Sequence, residues 1–309
     1  MNPDPSTSRA GVVAIIGAPN AGKSTLVNRL VGSKVTIVTH KVQTTRMRVR
    51  GVMIEGDAQV VLVDTPGIFA PKRRFDRAMV DAAWAGAEDA DAIVVIADAA
   101  ELDEKPNGLG AADTKRIIEG LKGQGRKAAL VLNKVDSLKR EKLLDISAAL
   151  NASFPFEETF MVSALKGSGI ERLRTWLAGK TEPGHWLFPE DQTGDISSRM
   201  LAAEATREQI YLRLHEELPY SVHVTTEGWE ERKDGSVKID QVIFVERDGQ
   251  KPIVIGKGGS TLKAIGAAAR KEIGAILDRQ VHLFLQVKVK SNWADDRSVY
   301  DEIGIEYKK

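Results

Sequence analysis

Four short segments in the first half of the chain carry side chains that could bind and cleave a nucleoside triphosphate. In order they are Gly17-Ala18-Pro19-Asn20-Ala21-Gly22-Lys23-Ser24, Asp64-Thr65-Pro66-Gly67, Asn133-Lys134-Val135-Asp136 and Ser163-Ala164-Leu165. The first has the spacing of a phosphate-cradling loop. Gly17 and Gly22 permit a tight turn whose backbone N–H groups converge on an anion, and the helix that must follow adds its positive end. Lys23 can reach the β- and γ-phosphates. Asn20 and Thr25 are expected at the nucleotide with it, and the Ser24 hydroxyl can ligand Mg2+.

The other three segments refine the chemistry. Asp64 ends an apolar run, where it can hold the same Mg2+. The Gly67 N–H can bond the γ-phosphate, and hydrolysis would break that bond. Asp-Thr-Pro-Gly alone is also good turn chemistry, but its place after a phosphate loop favours the metal role. The Asp136 carboxylate can accept from guanine N1–H and its 2-amino group, and adenine has neither donor on that edge. Asn133 can contact the other edge of guanine and tie loops together. The Lys134 stem can pack along the base, and the backbone at Ser163 and Ala164 can donate to guanine O6. The four together predict a guanine-nucleotide switch and argue against an ATP-using kinase. A threonine should complete the Mg2+ shell in the triphosphate state. Thr44 and Thr45, in the switch I interval between the first helix and Asp64, both qualify, and Thr45 is taken with Ser24 and Asp64 as the metal set.

These residues need strands to deliver them. Apolar runs at 12–16, 60–63, 93–97, 128–132 and 159–162 each end at or beside one of the segments or a turn. Helix-like stretches at 76–87, 114–121, 139–150 and 170–177 lie between them. Alternation of this kind implies a mostly parallel α/β sheet with helices on both faces. Ligands in such sheets bind at the carboxyl ends of the strands, where the four segments fall.

Composition narrows the field further. The 309 residues suffice for two domains, and the formal net charge of +1 does not by itself favour nucleic acid. There is no cysteine, and the five histidines form no metal-binding pair. Residues 1–9 lack the apolar core of a signal peptide, and no apolar run approaches the roughly 20 residues of a membrane span. The chain reads as a cytoplasmic monomer. The expected division is a flexible N-terminus at 1–10, a nucleotide domain at 11–180, a Pro- and Gly-containing linker at 181–195, and a second domain at 196–309.

The second domain reads as α+β. Ser197 can cap a helix running to Leu218. Runs at 222–226 and 237–245 alternate like paired strands around Asp234-Gly235. Gly256-Lys257-Gly258-Gly259 then opens a helix, and a strand at 281–289 closes the unit. A Gly-x-x-Gly loop lets a nucleic-acid backbone approach closely. Residues 251–290 hold eight Lys or Arg against two acids, a local basic face inside a balanced chain. Ile255, Gly256, Lys257, Gly258, Gly259, Lys263, Lys288 and Lys290 are the candidate RNA contacts. Ile253 is expected to line the groove with Ile255, and Arg270-Lys271 reads as an ordinary solvated pair. Trp229 and Trp293 suit either stacking or burial.

With these residues in hand the chain resembles a translation-factor-type small GTPase of the bacterial Era family over almost its whole length. The local matches are Gly-Ala-Pro-Asn-Ala-Gly-Lys-Ser-Thr-Leu at 17–26, Lys-Val-Gln-Thr-Thr-Arg at 41–46, Leu-Pro-Tyr-Ser-Val at 218–222, Val-Ile-Gly-Lys-Gly-Gly at 254–259 and Trp-Ala-Asp-Asp at 293–296. The resemblance implies an α/β P-loop GTPase domain followed by an α+β type II KH domain, and hydrolysis of GTP to GDP. It also implies binding near the 3′ end of 16S rRNA, a part in 30S subunit maturation, and peripheral contact with the inner membrane. Ile68 stands where Ras-like proteins carry a water-orienting glutamine, so intrinsic hydrolysis should be slow. Asn20 inside the phosphate loop either braces it or serves a K+ ion that compensates. A regulatory GTPase whose second domain binds protein instead of RNA is the rival reading.

Overall fold

The computed structural model describes residues 8–41, 43–215 and 218–308. The chain divides into two compact units. One comprises residues up to Thr36, Thr45–Asp195 and the residues from Ile303 on; the other comprises Ile37–Thr44 and Ile196–Glu302.

In the first unit the strands are β1 (Arg9–Gly17), β2 (Val49–Glu55), β3 (Ala58–Asp64), β4 (Ala92–Asp98), β5 (Ala129–Asn133), β6 (Thr159–Met161) and β7 (Glu182–Pro183). Their order is β2-β3-β1-β4-β5-β6, with β7 paired to β1. All ladders are parallel except β2 on β3 and β7 on β1. The helices are α1 (Lys23–Val31), α2 (Arg74–Glu88), α3 (Ala99–Glu104), α4 (Leu109–Gln124), α5 (Arg140–Ser153) and α6 (Ile170–Gly179). Strand alternation sorts the core. Val13, Ile15, Val94 and Ile96 pack with Leu26, Leu30, Leu173 and Leu177 of α1 and α6. Their neighbours Ala14, Ile16 and Val95 pack with Ala83, Ile117, Leu121 and Leu143 of α2, α4 and α5. Burial on both faces is why these strands read as unbroken apolar runs.

The expected N-terminal tail at 1–10 falls outside the described residues up to position 7, while Arg9 and Ala10 already lie in β1. The expected linker at 181–195 is not a free tether, because it packs on the first unit. β7 pairs with β1, Gly194 bridges Gly51, and Gln59 Oε1 accepts from the Leu187 and Phe188 N–H groups. Proline and glycine marked an irregular path here, and partners distant in sequence hold it down.

The second unit is built from α7 (Ser198–Arg213), β8 (Val222–Glu231), β9 (Val237–Val245), α8 (Gln250–Ile255), α9 (Ser260–Leu277), β10 (Val281–Val289) and α10 (Arg297–Ile303), the last helix ending where the chain rejoins the first unit. The sheet order is β10-β9-β8, with β8 antiparallel and β10 parallel to β9. Ile210, Val224, Ile243, Val254, Ile265 and Val287 share one core. Ser197 caps α7 through the Met200 N–H, as expected. The helix ends at Arg213, short of Leu218. Lys41 Nζ takes the Tyr211 and Leu214 carbonyls, and the Tyr211 carbonyl is one a longer helix would have used.

Candidate functional site

The phosphate loop joins β1 to α1. Gly22 has φ 99°, and a Cβ there would lie 2.2 Å from Asn133 Nδ2, so only glycine fits. Lys23 is 6% exposed and donates to the Gly17 and Ala18 carbonyls at 3.1 and 3.0 Å. Burial pushes its ammonium down to about 8, while nearby Asp64 opposes the shift. Asn20 is exposed in a left-handed conformation at φ 62°. The Ile68 side chain is fully buried, and its N–H donates to the Gly17 carbonyl at 3.1 Å.

Asp64 ends β3, fully buried. Its Oδ2 accepts from Ser24 at 2.7 Å, Thr36 at 3.0 Å and Thr45 at 3.4 Å, and Ser24 and Thr45 hydroxyls lie 2.8 Å apart. Its Oδ1 has no hydrogen-bond partner among the described residues. Burial raises the carboxyl above its ordinary range, against the pull of Ser24, Lys23, Thr36 and Thr45. Of the two switch I candidates, Thr45 reaches this cluster. Thr44 turns away, donating to the Lys41 carbonyl at 2.7 Å and sharing a 2.6 Å hydrogen bond with Thr39. In the second unit the segment Ile37–Thr44 lies on α7, where Glu208 accepts from the Val38 N–H at 2.8 Å and Arg207 donates to the Thr44 carbonyl.

The base-reading segments follow β5 and β6. Asn133 is 3% exposed and spends both ends of its amide inside the protein, donating to the Ala21 carbonyl at 2.9 Å and accepting from the Ala164 N–H at 3.0 Å. It therefore ties the phosphate loop to the two base loops. The N–H groups expected to face guanine O6 are also taken: Ala164 by Asn133, and Ser163 by the Ser168 carbonyl at 3.0 Å. Asp136 pairs with Lys166 at 3.0 Å, and the Ser163 hydroxyl and then Lys166 hold its carboxyl below the usual range. Lys134 adopts φ 63° and pairs with Asp98 at 2.5 Å.

In the second unit Gly256, Gly258 and Gly259 have φ of 74°, 59° and 79°. A Cβ on Gly256 would strike Thr261, whereas one on Gly258 would meet nothing within 4 Å. The loop is preceded by the short helix α8 and so joins two helices. Lys257 and Lys263 are exposed beside it, Ile253 is 57% exposed, and Ile255 is half-buried. Lys288 and Lys290 are elsewhere. On β10 the odd-numbered residues face the helices, which puts both lysines on the far side of the sheet, bonded to Glu227 and Asp296. Trp293 is 1% exposed and donates to the Ser221 carbonyl, so it is core. Trp229 is half-buried beneath Arg279.

Comparison with known proteins follows the same division. The family model described as 50S ribosome-binding GTPase matches residues 12–134, and that of the KH domain matches residues 217–294. GTPase Era of Caulobacter vibrioides is 57% identical over 314 residues, covering 99% of each chain. GTPase Era of Brucella suis is 59% identical over 300 residues, covering 97% of this chain and 94% of its own. The chain belongs to the Era GTPase family. A solved Era, in complex with MgGDPNP and nucleotides 1506–1542 of 16S ribosomal RNA, superposes with TM-score 0.88 at 36% identity, covering 96% of this chain and 99% of that one. A variant of Aquifex aeolicus Era bound to GDP and AlF4− gives TM-score 0.88 at 37% identity over the same shares. The protein is thus a GTPase, with a P-loop domain of mostly parallel sheet and a C-terminal KH domain.

The solved Era above holds its GTP analogue with Mg2+, and the residues at this site fit that ion. One buried carboxylate oxygen without a partner among the described residues and two hydroxyls form a hard oxygen set, and magnesium supplies charge neutralisation at the phosphates. Sequence reasoning missed Thr36 and Asp98. Asp98 ends an apolar strand as Asp64 does, which was a usable signal. Thr36 had none, since Asn28 positions it by accepting from its N–H at 3.1 Å and donating to its carbonyl at 2.8 Å.

Proposed function

We propose that this GTPase is a molecular switch whose C-terminal domain binds 16S rRNA near its 3′ end and acts in 30S subunit maturation. The observation that carries this reading is the Gly-x-x-Gly loop, held in open left-handed backbone with exposed lysines beside it. It stands in a chain that matches an RNA-bound Era over 96% of its length. Residues 11–180 are the GTP-binding domain and 196–309 the RNA-binding domain. Ser24, Thr45 and Asp64 hold Mg2+. Gly17, Asn20, Gly22, Lys23 and Thr25 surround the phosphates, Gly67 senses the γ-phosphate, and Asp136 reads guanine beside Lys134. Ile255 to Gly259 and Lys263 contact RNA.

Full-length protein should retain an oligonucleotide of the 16S 3′-terminal sequence in a filter assay and release it to an excess of the same sequence but not to a scrambled one. Equal competition by both would leave only non-specific electrostatics. The protein acts as a monomer in the cytoplasm, where GTP and pre-ribosomes meet. Peripheral membrane contact rests on the family resemblance, and co-sedimentation with anionic vesicles tests it.

Hydrolysis also uses K+. Ile68 is buried and has no polar group to orient water, and exposed Asn20 sits in the phosphate loop, where a cation would offset charge developing between the β- and γ-phosphates. Turnover should be roughly tenfold or more faster in KCl than in equal NaCl, as for removal of one electrostatic interaction with the transition state. Equal rates would remove the cation.

A further inference from the structure

The last residues of the chain return to the first unit and lie along α2, the helix that follows the switch II segment Asp64–Gly67. Tyr307 is the centre of the contact. Its hydroxyl accepts from Arg74 Nη1 at 2.8 Å, and the Arg74 guanidinium lies 5.3 Å from its ring centroid. Seven residues on, two turns along the same helix face, Asp81 pairs with Lys308 at 2.9 Å. Ile305 is 6% exposed. The tail's lead-in is fixed as well, because Glu302 is bonded to His223 at 3.0 Å and Thr225 at 2.6 Å within the second unit. Gly304 lies in the left-handed region at φ 66°.

The first turn of α2 is also gripped from switch I. Phe75, next to Arg74, lies under the guanidinium of Arg46, whose carbon is 5.8 Å from the ring centroid. Both are buried, at 6% and 3% exposed. Arg46 is bonded through the chain to Thr45, whose hydroxyl is 2.8 Å from that of Ser24. An unbroken series of contacts thus runs from Tyr307 through Arg74 and Phe75 to Arg46 and Thr45, all within the first unit. Asp76 caps this turn by accepting from the Lys72 and Arg73 N–H groups, and the tail adds a second tie through the Arg74 side chain. Helix ends fray, and loosening of this turn would release Phe75 from Arg46 and so loosen Thr45.

We propose that the C-terminal tail braces the switch II helix and that Tyr307 is a positioning residue for GTP hydrolysis, acting through the first turn of α2 on Thr45. The proposal rests on the reading of Thr45 as the hydroxyl that senses Mg2+ and triphosphate. GDP binding does not require that hydroxyl, so the brace should matter for the triphosphate state alone.

The test compares Tyr307→Ala, Tyr307→Phe, Arg46→Ala and Thr45→Ala in the full chain. Affinities for GDP and a non-hydrolysable GTP analogue and the Mg2+ needed for half-maximal hydrolysis are measured, with the melting temperature as the folding control. Tyr307→Ala should weaken the GTP analogue about fivefold, as for removal of one aromatic–guanidinium pair, and raise the Mg2+ requirement by a similar factor. GDP affinity and melting temperature should stay near wild type. Tyr307→Phe, which keeps the ring, should recover most of the loss. Adding Tyr307→Ala to Arg46→Ala should cost nothing more, since both act through one series of contacts. If Tyr307→Ala matches wild type while Thr45→Ala is impaired, the brace is wrong and the Thr45 reading survives. If Thr45→Ala is itself silent, that reading fails and the brace falls with it. Equal loss of GDP and analogue affinity, or additive effects of Arg46 and Tyr307, would reduce the tail to structural packing and overturn the proposal.

Discussion

Asp136 carries base choice on one carboxylate, prepared by the Ser163 hydroxyl and Lys166. Exchanging it for asparagine offers guanine's amine a second donor and xanthine's carbonyl a matched one. Asp136→Asn should lower GTP affinity by roughly 10²-fold or more, the worth of two charge-assisted hydrogen bonds, and raise xanthosine triphosphate affinity. Titration with both nucleotides checks this, and unchanged GTP affinity would take Asp136 out of the base contact. Lys23 makes a second prediction through its proton. Burial holds it near 8 before nucleotide arrives, and phosphate charge must raise that value. Above pH 8 the free protein has lost the proton that the complex retains, so binding takes one up. Affinity should then fall as pH rises, toward about tenfold per unit, and this group should contribute no slope below pH 8. Calorimetry at pH 9 in two buffers of different ionisation enthalpy counts the protons, and zero uptake contradicts the assignment.

At the scale of elements, the Gly-x-x-Gly loop can be tested without endangering the fold. Gly258 is at φ 59°, a conformation aspartate tolerates better than most residues, and an added Cβ meets nothing within 4 Å. Gly258→Asp should therefore leave melting temperature and GTPase rate near wild type. RNA affinity should drop on the order of tenfold or more, because a carboxylate replaces open space beside a phosphate chain. Wild-type RNA affinity in this variant would show that the loop is not the clamp. The same element shows what spacing leaves unsaid. Alternation along 281–289 was legible, yet the face on which Lys288 and Lys290 fall depends on where α8 and α9 pack. The helix α8 was missed because six residues containing a proline carry too little periodicity.

For the whole molecule, a net charge of +1 means that long-range attraction to RNA is weak and binding rests on local lysines. With two or three phosphates neutralised near Lys257 and Lys263, log affinity against log salt should have a slope of about −1.5 to −2 for single-stranded RNA. A filter-binding series in KCl measures it. A slope several times steeper would require a larger basic surface than the exposed lysines beside the loop provide. A slope of zero would mean that apolar contacts such as Ile253, 57% exposed, carry the binding.

Residue types and their short spacings were enough to specify the chemistry and the places where the strands end. Phosphate loops, metal-binding aspartates and guanine readers need particular side chains a few positions apart, and such spacings survive in one dimension. Buried parallel strands likewise announce themselves as apolar runs, because both faces are covered. Choosing between Thr44 and Thr45 took packing in three dimensions, since adjacent residues of one segment point to different neighbours: Thr45 to Ser24 and Asp64, Thr44 to Thr39 and Lys41. Packing also docks residues 181–195, turns the Ala164 N–H to Asn133, and lays the chain's end on α2. Each depends on partners far away in sequence or on the placement of a third element, and no local pattern of residue types encodes such a pairing.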